Sequence, residues 1–155
     1  RTAVNTTADT IVELSAIPSI VGVKEASGNM DQICEIITRT PDSFTVLSGD
    51  DSMTLPMISV GAQGVISVVS NIAPKRMADM VRFALEGDYA RARAGHNELF
   101  PLMRTLMKVE TNPSPVKAAM NILGMNAGPV RLPLSEPDPN GMALLEKLLR
   151  SISLP

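Results

Sequence analysis

The chain of 155 residues has no tryptophan, one tyrosine, three phenylalanines, one histidine and one cysteine. A lone cysteine, Cys34, cannot close an internal disulfide, which excludes a disulfide-stapled secreted scaffold and makes a reducing, cytoplasmic setting the expectation. With aromatics at 3% and ten methionines, the core has to be aliphatic and methionine-filled. No apolar run approaches the roughly 20 residues that span a bilayer, and no charged-then-apolar leader precedes the first helix, so no membrane partner is expected. Like charges do not cluster, and 14 Lys and Arg against 16 Asp and Glu leave a formal charge of -2. That balance lacks the basic footprint of a nucleic-acid binder. A small-molecule protein is the remaining class. The first residue is Arg1 and not methionine, so the chain reads as a piece of something longer.

Against these absences stands a β-branched run that ends in a cation. Residues 19–23 are apolar without polar alternation, the pattern of a strand buried on both faces of a parallel sheet, and Lys24 follows directly. Alternation along a strand places Ile20, Gly22 and Lys24 on one face and Val21 and Val23 on the other. Gly22 is expected to leave space beside the lysine. The small residues of 26–29 then form a turn, and Asn29 with Gln32 three positions on has the spacing of a helix capping box.

The same plan recurs twice more. A first helix over 6–16, capped by Thr6 or Thr7, precedes the Lys24 strand. A helix over 29–39 follows it, burying Met30, Ile33, Cys34 and Ile37. A second strand over 44–47 runs into a polar turn at 48–52 and a helix over 53–60. A third strand over 64–69 is followed by a helix over 74–85, with Pro74 at its first position. Strand, polar turn and helix in repetition predict an α/β fold with a parallel sheet, whose chemistry sits in the turns after the strands. From Asp88 onward only helices are predicted: a long one to about Lys108 with Tyr89, Leu99, Phe100 and Met103 inward and a kink at Pro101, one from Pro115, an extended piece over 131–134, and one from Pro139. The expected organisation is a βα portion over 1–87, its sheet closed or open, and a helical subdomain over 88–155.

Lys24 is the residue with the clearest chemistry. An amine at the end of a buried strand is desolvated, which favours its neutral form and equips it to attack a carbonyl and form an imine. The plainer alternative is a strand-end lysine reaching into water. Asp50 and Asp51 have the chemistry to hold a hard cation, but an N-cap and first-turn role explains them better, and no histidine joins them. No metal is expected. His96 is expected on the surface. The loop Asn112-Pro-Ser-Pro115 has the composition either of a pocket wall or of a helix stop and start. Arg1 and Arg131 each have the fork that clamps a carboxylate, as do arginines that serve only the surface.

Arg1-Thr2, Gly22-Val-Lys-Glu-Ala-Ser-Gly-Asn29, Leu47-Ser-Gly-Asp-Asp51, Gly64-Val-Ile-Ser67 and Asn112-Pro-Ser-Pro-Val-Lys117 together resemble the dihydrodipicolinate synthase family. The resemblance runs through the whole chain but covers only the second half of that enzyme, a (β/α)8 TIM barrel with a C-terminal helical domain. It implies that the chain carries the last three βα units. It further implies a Schiff base between Lys24 and pyruvate, whose enamine adds to aspartate semialdehyde before cyclisation, with no cofactor. In the substrate-binding set it places Arg1 on the semialdehyde carboxylate, Gly49 and Asn112 around the second substrate, and Ile66 near bound pyruvate. Met30 and Val60 match positions at the contacts of a homotetramer. Ala3 stands where the family has glycine, and the loop ahead of Asn112 is one residue longer. The family's proton relay, two tyrosines and a threonine, belongs to the first half of the barrel.

Two other functions compete with this expectation. One is a related lyase acting on a sugar acid, which shares the lysine and the barrel; the arginine at position 1 favours the synthase. The other is an assembly fragment without chemistry of its own. The geometry expected on the first reading is a strand order that follows chain order, with the Lys24 strand at an edge or between the others and its ammonium on the concave side.

Overall fold

The structure is a computed structural model that describes residues 4–152. Arg1, expected at the semialdehyde carboxylate, lies outside the described residues. Three strands, β1 (Gly22–Glu25), β2 (Thr45–Ser48) and β3 (Gly64–Val65), form one parallel sheet in the order β1-β2-β3, as chain order requires. Helices α1 (Ala8–Ser15), α2 (Met30–Arg39), α3 (Thr54–Ser59) and α4 (Pro74–Leu85) alternate with them, and α5 (Tyr89–Lys108), α6 (Ser114–Ile122) and α7 (Pro139–Ser151) follow. In the ladder Lys24 lies opposite Leu47, and Leu47 opposite Gly64.

β1 is an edge. The Val21 carbonyl accepts from Thr45 N–H and the Glu25 carbonyl from Gly49 N–H, so the odd-numbered carbonyls of this strand are turned to β2. By alternation the main-chain groups of Gly22 and Lys24 face away from it, along the open edge. The edge also corrects the expectation of a strand buried on both faces: Val21 is 72% exposed and Val23 half-buried. Nor does Gly22 make room for the lysine. A Cβ there would stand 2.4 Å from the Thr45 carbonyl oxygen, so this glycine permits the close approach of β2.

β3 is shorter than its apolar run predicts. After Val65 the chain leaves the sheet and coils into a single 3-10 turn, Val69–Asn71, because the amides of Val68 and Val69 bond to the Asp51 carboxylate and that of Ser70 to Ser67 Oγ.

The helices form where their caps and stripes say they should. Thr7 caps α1 through Thr10 N–H, Asn29 caps α2 through the amides of Asp31 and Gln32, and Asp138 caps α7 through Gly141 N–H. On α2 the buried residues are Ile33 and Ile36, while Met30, Cys34 and Ile37 are half-buried. Truncating either isoleucine to alanine would cost about 2–5 kcal/mol. α5 continues across Pro101, whose ring is exposed, and buries Leu99, Leu102, Met103 and Leu106. Phe100 and Tyr89, expected inward, are exposed, since that stripe leaves position 100 about 100° round the helix from Leu99. The 131–134 segment is a turn closed by Leu134 N–H on the Arg131 carbonyl, not an extended piece.

Two cores result. Ala8, Ile11, Ile33, Ile36, Val46 and Met57 join α1, α2 and α3 to the first two strands. Met77, Met80, Leu99, Met103, Ala119 and Leu145 join α4 to the three later helices. Four methionines, Met57, Met77, Met80 and Met103, are fully buried, as the scarcity of aromatics demands. On the outside of α4 the Lys75 ammonium and then the Arg82 guanidinium hold the Asp79 carboxyl below its usual range.

His96 is not the surface residue its polar neighbours suggest. It is half-buried on α5 beside Phe100, with ring centroids 5.6 Å apart, and its Nδ1 is buried with no hydrogen-bond partner among the described residues. Burial lowers its pKa below the usual 6.5. Protonation therefore favours the unfolded chain. The stability supplied by neutral His96 is complete above pH 6.5 and declines as pH falls from there toward the lower folded-state pKa. Urea midpoints measured from about pH 7 down to about pH 5 should fall, and the fall should be shallower in His96→Gln.

Candidate active site

The turns that follow the three strands meet the start of α6 around a cavity of about 410 Å³. Lys24, Gly49, Ile66 and Asn112, four of the residues singled out in the sequence, all line it, and Asp50, Asp51, Ser67, Asn71 and Lys117 add to its polar wall. Lys24 is exposed, at the C-terminal end of β1, and makes no ion pair among the described residues. A wider hollow of about 610 Å³ opens on the free edge of β1, bordered by Asn5, Val23, Glu25 and Gln32, and Lys24 borders that one as well. The amine thus stands where the cavity and the open edge join.

Gly49 is what gives the lysine its place. A Cβ on Gly49 would fall 2.8 Å from Lys24 Cε, 3.1 Å from Lys24 Cγ and 2.9 Å from Ala26 Cβ. The turn that contains it is held rigidly. Ser48 Oγ donates to the Asp50 carbonyl at 2.7 Å and accepts from Asp50 N–H at 3.2 Å, and Asp50 Oδ1 accepts from both Ser52 N–H and Ser52 Oγ. This is the cap role expected of Asp50. Asp51 holds the first-turn position expected of it, but buried and not at the surface. It is 6% exposed, and its Oδ2 accepts from Val68 N–H and Val69 N–H, each at 3.0 Å. Each buried amide left without that acceptor would cost about 1–3 kcal/mol. Among the described residues no group of three or more metal-ligating side chains comes together.

On the other face of β1, Glu25 is 5% exposed and went unnoticed in the sequence. Its Oε1 accepts from Ser27 N–H and Gln32 Nε2, both at 3.1 Å. This alters the expected capping box. Asn29 does its part, but the Gln32 side chain turns away from Asn29 N–H, which donates to Ser27 Oγ instead, and Gln32 bonds Asn5 and Glu25. The signal was present: period-two alternation sets Glu25 on the helix-facing side, where a buried carboxylate requires donors, and Gln32 lies in the first turn of the helix packed there.

A strand-end lysine facing a cavity made by the turns of successive parallel βα units defines the lysine-bearing part of an α/β protein, and three such strands with their helices fit part of a barrel. The model of the dihydrodipicolinate synthetase family matches residues 1–152. The 4-hydroxy-tetrahydrodipicolinate synthase of Methanoculleus marisnigri is 52% identical over 150 residues, covering 96% of this chain and 51% of that protein. The same enzyme of Thermomicrobium roseum is 50% identical over 153 residues, covering 99% and 49%. The crystal structure of dihydrodipicolinate synthase from Aquifex aeolicus superposes with a TM-score of 0.95 at 47% identity, covering 100% of this chain and 53% of that one. The chain belongs to the dihydrodipicolinate synthetase family, and it spans about half the length of the relatives it matches.

Gly49→Ala tests the packing around the amine. The added methyl meets the short, immobile Ala26 side chain on one side and Lys24 on the other, so overpacking should cost about 1–3 kcal/mol while circular dichroism stays native.

Proposed function

We propose that this chain is the imine-forming half of a pyruvate-dependent synthase: the last three βα units of a (β/α)8 barrel over 1–87, followed by a helical subdomain over 88–155. The observation that carries the proposal is Lys24 at the C-terminal end of its strand, facing a cavity that Gly49, Ile66 and Asn112 share. That end of parallel strands is where barrels of this kind place their chemistry. The family supplies the substrates, pyruvate and aspartate semialdehyde. The lysine nitrogen attacks the ketone carbon of pyruvate, and loss of water leaves an imine. Loss of a methyl proton gives the enamine, and its carbon adds to the aldehyde carbon of the second substrate. Arg1 is assigned to the carboxylate of that substrate by resemblance.

The chain brings the nucleophile but not the whole site. An ammonium has no lone pair, so attack requires a positioned base to take its proton and an acid to assist loss of water. Three parallel strands cannot close on themselves, and the hollow along β1 leaves Lys24 open to solvent. The free edge and the hollow are therefore assigned to the other half of the barrel, with association into homo-oligomers through the surfaces of Met30 and Val60 as a further part of the proposal. No helix among the described residues is long and apolar enough to cross a membrane.

Incubation of the complete barrel with pyruvate and borohydride, followed by peptide mapping, should place the reduced adduct on Lys24, and Lys24→Arg should abolish it; an adduct elsewhere or none would sink the assignment. Turnover with aspartate semialdehyde should exceed turnover with sugar-derived aldehydes. The isolated chain should show no detectable synthase activity and regain it when a first-half fragment is added.

A further inference from the structure

We propose that Asp51 is a positioning residue for the Lys24 site, acting through the turn after β3. The inference rests on the reading of Lys24 given above. Ile66 and Ser67 form the cavity wall beside the amine, and Ile66 is 48% exposed, so packing alone does not hold it. Main-chain anchors do. On one side Ile66 N–H donates to the Ser48 carbonyl at 2.8 Å. On the other, Val68 and Val69 N–H converge on a single oxygen of Asp51, 17 and 18 residues away in sequence. Two residues bracketed between fixed points retain little backbone freedom, and both anchors are rooted in the turn after β2.

The character of the clamp sets it apart from ordinary packing. A carboxylate this buried is costly unless its charge is met by hydrogen bonds, and Asp51 directs those it makes at the two amides of one turn, while its Oδ1 has no partner among the described residues. Charge-assisted bonds from amides are about twice as strong as neutral ones. The turn is thus held by groups of the chain itself, and the placing of Ile66 requires no contact from a substrate. A preset wall affects substrate binding more than the chemical steps that follow, since the wall itself transfers no proton.

The test uses the complete barrel, with Asp51→Asn and Asp51→Ala. Asp51→Asn keeps the shape and one acceptor oxygen but removes the charge. It should exchange the Val68 and Val69 amides about threefold to tenfold faster, and raise the KM for pyruvate several-fold with kcat held within about twofold. Asp51→Ala, if folded by circular dichroism, should show the same pattern enlarged to roughly tenfold or more. Wild-type exchange at both amides and wild-type KM in a folded Asp51→Asn would overturn the inference. So would accelerated exchange with an unaltered KM, which would leave Asp51 a purely structural clamp. If the wild type itself traps no pyruvate on Lys24, the reading of the lysine fails separately, and the KM role assigned to Asp51 falls with it, whatever the exchange rates show.

Discussion

The turn that closes β2 ties the other two strand ends to itself. Gly49 N–H donates to the Glu25 carbonyl at 2.7 Å, the Ser48 carbonyl accepts from Ile66 N–H, and Asp51 accepts from Val68 and Val69 N–H. Without this turn the strands would still pair, but the small residues after β1 and after β3 would have nothing to set their relative positions. Within the turn itself Ser48 and Asp50 satisfy one another, so the segment holds its shape before it holds anything else. The absence of a side chain at Gly49 belongs to the same arrangement, since the turn that fastens the site also has to leave room for its lysine.

Much of the architecture was legible because it rests on local rules. The caps at Thr7 and Asn29 and the helical spacing of Leu99, Met103 and Leu106 all act within a few residues, and the structure follows them. Where a distant group takes over a local donor, sequence reading stops short. The run over 66–69 has the composition of a strand, yet the amides of Val68 and Val69 are taken by a carboxylate from a different βα unit. Gln32 has the spacing of a capping partner, yet Asn5 and Glu25 offer it better contacts. His96 reads as exposed from its neighbours along the chain, and only the packing around α5 leaves it half-buried.

The site divides in the same way. Lys24 was readable from pattern, because a cation at the end of an apolar strand is conspicuous in itself. Gly49, Ile66 and Asn112 were reached through family resemblance, and the cavity brings them together from turns far apart in sequence. Asp51 was weighed as a first-turn acid or a cation ligand; it stands in the first turn as expected, and its carboxylate is in addition buried against two distant amides. What decides its role is the position of two amides that no spacing rule connects to it.

Lys24 answers two demands at once: its side chain faces the cavity, and its main chain faces the open edge of the sheet. Any strand that docks along that edge has to match the main-chain groups of Gly22 and Lys24, whose alternation allows shifts only in steps of two residues, about 6.6 Å. A step of that size is more than twice the length of a hydrogen bond, so side chains delivered by a misaligned neighbour would miss the amine altogether. On the proposed reading, in which the other half of the barrel docks here, assembly at this edge is digital: the groups that complete the site arrive in register or are absent, and no continuum of partly formed centres lies between the two.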